Sequence, residues 1–306
     1  MSRKLLSYTA IGLILGSTAI ADVPKVAVDI APVHSLVARV MDGVGSPKLV
    51  IPAGASPHEY SLRPSEAKSL QDADMIIWIG EDLAPWMENS IETLSKNAEV
   101  ITLLKESETK LLEFREGALF EEHDHGDHDD HDDHAHGEHD PHAWLSIENA
   151  QTWLNLVAGK LSAADPDNAG VYFANAAAAR EEINDLVVEV NSILEPVRGR
   201  NFVVFHDAYQ YFETSFNFPA AGAISLGDAT DPSAARIAEI QGRVKDEGIN
   251  CVLSEPQYNA NLVATVLSGT DAKTGVIDSL GLGLEPGPKL YGDLIRNMAK
   301  ALAGCL

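Results

Sequence analysis

The alternation of short, unbroken apolar runs with longer stretches of helical period restricts this chain more than any other feature. Met75-Ile76-Ile77-Trp78-Ile79-Gly80 is the clearest run, with no polar residue and three isoleucines. A strand wetted on one face alternates polar and apolar residues, whereas an unbroken run fits a parallel sheet covered on both faces. The rhythm predicts strands at 25–30, 48–51, 75–80 and 99–103, with helices at 32–41, 64–71 and 81–96. It resumes with strands at 201–205, 220–224, 250–254 and 275–277, and helices at 208–216, 232–247, 259–267 and 289–303. With 306 residues, the expected architecture is α/β: two lobes, each a mostly parallel sheet flanked by helices.

Between the lobes, Asp165 is suited to cap a helix and Pro166 to open it. From Pro166 to about Glu195 there is no glycine after Gly170, and Leu186, Val190, Ile193 and Leu194 keep a helical apolar face. Thirty helical residues would extend about 45 Å, enough to run along both lobes as a stiff connector; the alternative is an ordinary surface helix. The expected division is an N-terminal lobe over 22–164, a linking helix over 165–197 and a C-terminal lobe over 198–306.

The chain opens Met1-Ser2-Arg3-Lys4 and continues apolar from Leu5 to about Ile20. Two cations, a short apolar run and Ala19-Ile20-Ala21 have the layout of a secretory signal peptide over 1–21, with cleavage before Asp22. A membrane anchor is the alternative, but spanning needs about 20 apolar residues, and Tyr8, Thr9, Ser17 and Thr18 interrupt this run. A periplasmic protein follows. In an oxidising compartment the two cysteines, Cys251 and Cys305, are expected to form one disulfide. A thiolate metal pair is the rival, and it lacks the short C-x-x-C spacing. The formal charge of −24 argues against nucleic acid as a partner, because phosphate surfaces select Lys and Arg.

Residues 121–140 hold seven of the eleven histidines, His123, His125, His128, His131, His134, His136 and His139, among ten acidic residues. Such a segment cannot bury a core and is expected to be disordered or weakly ordered. Neutral imidazole suits Zn²⁺, Cu²⁺ and Ni²⁺, and neighbouring carboxylates lower the cost of holding a dication. The run reads as a weak, multi-site metal collector, against the plainer reading of a solvated acidic linker.

Four histidines lie outside it. His58 follows the strand at 48–51, His206 follows the strand at 201–205, and His142 closes the acidic run in Asp140-Pro141-His142. Open α/β sheets place ligands near the carboxyl ends of their strands, so these three are candidate ligands of one metal site. His34, at the start of the first helix, reads as a capping or supporting residue. Asp278, after the strand at 275–277, could supply a fourth, carboxylate ligand or simply cap a turn. Glu59 and Glu255 are lesser candidates.

At these residues the sequence resembles the ZnuA-type periplasmic zinc-binding proteins of high-affinity zinc ABC importers. The resemblance covers essentially the whole mature chain. It rests on Gly54-Ala55-Ser56-Pro57-His58-Glu59-Tyr60-Ser61-Leu62-Arg63-Pro64-Ser65, Asp140-Pro141-His142-Ala143-Trp144-Leu145-Ser146 and Phe205-His206-Asp207-Ala208-Tyr209, together with the His-rich tract and the two cysteines. It implies two α/β lobes joined by a long backbone helix, with Zn²⁺ bound between them. His58 and His142 would come from the N-terminal lobe, His206 from the C-terminal lobe, and Asp278 corresponds to the carboxylate that some relatives use as fourth ligand. The wider family includes manganese and iron binders, which typically replace the third histidine with a carboxylate.

The expected function is capture of Zn²⁺ in the periplasm by a monomeric binding protein, not an enzyme, and its delivery to the importer's permease and ATPase. The alternatives are a manganese- or iron-binding protein of the same class, a metal-buffering or adhesion protein without a transporter, and a secreted zinc hydrolase. Against the last, the chain contains no H-E-x-x-H.

Overall fold

Four parallel strands form each of two sheets in the computed structural model, which describes residues 23–115, 120, 139–225, 233–246, 248–257, 263–265 and 267–306. The first sheet contains β1 (Val26–Val28), β2 (Lys48–Leu49), β3 (Met75–Trp78) and β4 (Glu99–Thr102), in the order β2-β1-β3-β4. Val26 pairs with Met75 and Met75 with Glu99. Every residue of β1 and β3 is buried, as their unbroken apolar sequences require. The crossovers carry α1 (Ala31–Val40), α2 (Pro64–Gln71) and α3 (Pro85–Leu94). Each has a proline in its first turn, where a missing N–H costs nothing. That preference places the start of α3 at Pro85 rather than at the expected residue 81.

The second sheet contains β5 (Phe202–His206), β6 (Gly222–Ser225), β7 (Cys251–Ser254) and β8 (Lys273–Val276), in the order β6-β5-β7-β8. Its side chains divide by parity, as strand geometry demands. Phe202, Val204, Cys251 and Leu253 join the large core that extends into the N-terminal lobe. Val203, Phe205 and Val252 join a smaller core under the helix at Ala234–Asp246. His206 therefore shares the face of Phe202 and Val204, towards the other lobe.

Two helices join the sheets. The first, α4 (Ile147–Ala164), is absent from the expected elements, although its signal is local. Ser146 caps it by accepting from the Asn149 N–H at 3.2 Å, and Ala150, Trp153, Leu154, Val157 and Leu161 form its buried stripe. The second, α5 (Ala169–Leu194), is the long connector: 26 residues, flanked by 3₁₀ turns at Pro166–Asn168 and Glu195–Val197. It buries Tyr172, Ala176, Ala179, Ile183, Leu186, Val190 and Leu194, a stripe of three- and four-residue steps.

The chain continues through α6 (Gln210–Phe216) and α7 (Ala234–Asp246) to α8 (Leu290–Cys305). α5 packs on α4 and on the pair α1 and α8, which also touch each other. Ion pairs Arg39–Glu182 at 2.8 Å and Arg296–Glu189 at 2.7 Å tie it to both; exposed pairs like these contribute about 0.2–1 kcal/mol each. Cys251 and Cys305 are bonded, joining β7 to the end of α8, with Cα atoms 5.8 Å apart.

The expected signal peptide at 1–21 and six histidines of the acidic run, His123, His125, His128, His131, His134 and His136, lie outside the described residues. So does most of the helix expected at 259–267. Among the described residues, no helix is long and apolar enough to cross a membrane.

Candidate metal centre

Both sheets share one strand order, in which the second strand lies on one side of the first and the third on the other. Connections therefore diverge at the carboxyl ends of β1 and β5 and leave a crevice, the usual ligand position in open α/β sheets. Three histidines meet there. His206 is the last residue of β5, rather than the residue after it. His58 sits in the loop that follows β2, and His142 immediately precedes the 3₁₀ turn Ala143–Leu145 that leads into α4.

One ring nitrogen from each of His58, His142 and His206 lies within 4.8 Å of the others. Ring centroids are 5.0 Å apart for His142 and His206, 5.6 Å for His58 and His142, and 6.4 Å for His58 and His206. Tetrahedral Zn²⁺ with Zn–N near 2.0–2.1 Å puts its nitrogens about 3.3 Å apart, a spacing compatible with nitrogens that all lie within 4.8 Å of one another. His142 and His206 are each 4% exposed, and His58 is half-buried on the solvent side. The cavity among them has a volume of about 10 Å³ and is also lined by Ser56, Trp144, Gln257, Ser279 and Leu280. That is room for one ion or one water.

Buried carboxylates back two of the three rings. Asp140 Oδ1 lies 2.7 Å from His142 Nδ1 and also accepts from the His142 backbone N–H at 2.9 Å. Glu255 Oε1 lies 2.9 Å from His206 Nδ1, and Gln257 donates to Glu255 Oε2 at 3.1 Å. Both carboxylates are 2% exposed. A carboxylate on Nδ1 fixes the tautomer, orients the ring and makes Nε2 the more basic donor; the Nε2 atoms of both histidines are buried. Two buried negative charges also suit a dication. Sequence reading ranked Glu255 only as a lesser ligand and gave Asp140 no separate role. The signal for Asp140 was its position two residues before a histidine across a stiff Pro141; Glu255 had only its place after the strand at 250–254, with nothing to link it to His206.

The loops carrying these residues are held in place. Trp86 donates its Nε1–H to the Pro57 carbonyl at 2.8 Å, and the Tyr60 hydroxyl donates to Glu66 at 2.9 Å. Gly54 has φ of 87° and faces Leu282 so closely that a Cβ there would collide with it. Trp144 donates to the Ser279 carbonyl at 2.8 Å, and Tyr291 donates to the Trp144 carbonyl at 3.1 Å.

The remaining candidates stand elsewhere. Asp278 Oδ1 accepts from the N–H groups of Leu280 and Gly281 at 2.9 and 3.0 Å, so that oxygen caps a turn, and Asp278 is outside the three-histidine group. Glu59 is exposed. His34 is buried on α1 with Nε2 3.2 Å from the Pro47 carbonyl, a supporting position. His139 is half-buried at the edge of the described segment.

The family model for the periplasmic component A of the zinc-uptake complex, ZnuA, matches residues 26–305. The chain belongs to the ZnuA family. Relatives named high-affinity zinc uptake system protein ZnuA include those of Paracoccus denitrificans, 44% identical with 95% of each chain covered, and Brucella abortus, 43% identical over 95% of this chain and 94% of the relative. The Yersinia pestis ZnuA is 30% identical over 92% of this chain and 91% of its own. Among solved structures, a crystal structure of ZnuA superposes with a TM-score of 0.76 at 21% identity, covering 93% of this chain and 99% of that one. FpvC from Pseudomonas aeruginosa in complex with Mn²⁺ gives 0.75 at 20% identity, covering 92% and 97%. At such identities the likeness carries the fold, two parallel sheets joined by a long helix. The ZnuA family makes this chain a zinc-binding solute-binding protein, and a fold shared with a manganese binder leaves the choice of metal to the donor atoms.

Proposed function

We propose that this protein captures Zn²⁺ through His58, His142 and His206 and hands it to the permease and ATPase of an ABC importer. The observation that carries this reading is the convergence of three imidazole nitrogens, two of them backed by buried carboxylates. An all-nitrogen donor set suits borderline-soft Zn²⁺, whereas Mn²⁺ prefers carboxylate, carbonyl and water oxygen. The fourth position falls to a water, because one oxygen of Asp278 is held in its turn. Release of that turn would bring Asp278 into play as the alternative.

A carrier fits the cavity better than a hydrolase does. Small-molecule substrates occupy sites of about 300–1,000 Å³, and about 10 Å³ admits the metal and nothing larger. Ligands drawn from both lobes couple zinc to the relative position of those lobes. The permease can then distinguish loaded from empty protein by differential affinity. Residues 1–21 would direct the chain to the periplasm and be removed, and His123, His125, His128, His131, His134, His136 and His139 would gather metal weakly.

The test is calorimetric zinc titration of wild type, a deletion of 121–139, and His206→Ala. The deletion is expected to lose only weak sites and His206→Ala the tight one. Retention of tight binding by His206→Ala would overturn the assignment.

A further inference from the structure

Arg115 lies outside every motif that marks the metal centre, yet its guanidinium grips two buried carboxylates at once. Its guanidinium pairs with Asp207 through Nη2 and, at 3.0 Å, through Nε. It also pairs with Glu213 at 2.7 and 3.1 Å. The three side chains are 15%, 7% and 5% exposed, and Phe120 stacks on the guanidinium face with its ring centre 3.5 Å from Cζ. A planar fork with five donors is the group that can grip two carboxylates at once, and a lysine cannot reproduce it.

The position of Arg115 gives this cluster its meaning. Asp207 follows the ligand His206 directly, and Glu213 lies on α6 of the C-terminal lobe. Arg115 belongs to the strap that leaves the N-terminal lobe, and three residues earlier that strap supports the other buried ligand. The Leu112 carbonyl accepts from the Asp140 N–H at 2.9 Å, and Asp140 holds the His142 ring. Tyr211 of α6 completes the link: its hydroxyl accepts from the Leu112 N–H at 2.9 Å and donates to the Asp140 carbonyl at 3.0 Å. One short stretch of backbone, from Leu112 to Arg115, thus joins the support of His142 to Asp207, the residue that follows His206.

We propose that Arg115 is a positioning residue for zinc capture: its grip on Asp207 and Glu213 fixes the separation of His142 and His206 before metal arrives. It touches no metal and acts through the strap. The inference rests on the three-histidine reading. If wild type fails to bind Zn²⁺ and Co²⁺ at those histidines, the reading of function fails first; the positioning role is tested only against a wild type that binds.

The experiment compares Arg115→Ala, Arg115→Lys and a distant ion-pair control, Arg39→Ala, in the full chain. Its measurements are zinc titration, stopped-flow zinc release to a chelator, and the visible spectrum of the Co²⁺-loaded protein. Arg115→Ala is expected to weaken zinc binding about 10–100-fold, the range for groups that orient metal ligands, chiefly by faster release, and to alter the Co²⁺ bands. Arg115→Lys keeps the charge, loses the fork and should fall between; it carries the test if the alanine variant does not fold. Arg39→Ala should match wild type. Affinity within twofold of wild type and an unchanged Co²⁺ spectrum in a folded Arg115 variant would overturn the proposal, as would an equal loss in Arg39→Ala.

Discussion

Glu255 Oε1 stands 2.9 Å from His206 Nδ1 with both side chains buried. Parallel neighbours β5 and β7 create this contact, because each strand delivers one residue at its carboxyl end to the same face. The carboxylate holds one tautomer of the ring and directs Nε2 at the centre. Glu255→Gln preserves shape and removes charge, and it should raise the zinc dissociation constant about 10–100-fold while the apo protein stays folded. Unchanged affinity in a calorimetric titration would remove Glu255 from the account.

The Trp144–Ser279 hydrogen bond pins a C-terminal loop beneath the ligands. Trp144→Phe keeps most of the apolar contact and leaves the Ser279 carbonyl without this donor. Urea unfolding should show a loss of about 1–3 kcal/mol, the usual cost of orphaning a buried acceptor. A change below 0.3 kcal/mol, well under the cost of losing a typical hydrogen bond, would show that the contact is dispensable.

Cys251 and Cys305 close a loop with a sequence separation of 54. Chain-entropy reasoning assigns such a cross-link about 4 kcal/mol through restriction of the unfolded chain, and typical measured values are 2–4 kcal/mol. A Cys251→Ala/Cys305→Ala variant should lose stability in that range and keep its zinc affinity, since neither sulfur lies in the three-histidine group. Equal stability with and without reductant would contradict the role assigned to the bond.

Two buried groups outside the three-histidine group give stability opposite dependences on pH. Burial pushes Asp29 up to about 7, against hydrogen bonds from Ile79 and Ile30 that favour its ionised form. Its folded pKa is raised, so its contribution is present below the ordinary carboxylate range and disappears as pH rises through about 7. Burial lowers the pKa of His34, with the Pro47 hydrogen bond opposing. Its contribution is therefore complete above the ordinary histidine value and is lost as pH falls below it. Relative to wild type, Asp29→Asn should gain stability as pH rises from about 4 to 7, and His34→Gln should gain as pH drops from about 7 to 5. Parallel wild-type and variant curves of unfolding free energy would refute each assignment.

Much of the fold could be read from local chemistry. Unbroken apolar runs such as 75–80 require burial on both faces, and Pro64 marks the start of α2, so most sheet and helix positions followed from residue type and spacing, whereas the start of α3 at Pro85 lies four residues beyond the expected one. The stripe of α5 was equally visible. α4 went unassigned despite its serine cap, because its sequence continues the Asp140–Ser146 motif and was read only as motif. His58 and His206 were conspicuous as residues after strands and His142 as the residue that closes the acidic run, but Arg115 carried no signal at all.

The reason is the range over which each decision is made. Sequence alone determined which segments form elements, which histidines stand at strand ends, and that nitrogen donors favour zinc, since these follow from each residue and its near neighbours. Tertiary structure alone decided that Glu255 backs His206, that one oxygen of Asp278 caps a turn, and that a single strap reaches both Asp140 and Asp207. Those contacts join residues separated by 49 positions for His206 and Glu255 and by 92 for Arg115 and Asp207. Parallel pairing of β5 with β7 creates the first contact and the packing of the two lobes the second, and no local pattern of residues encodes either approach.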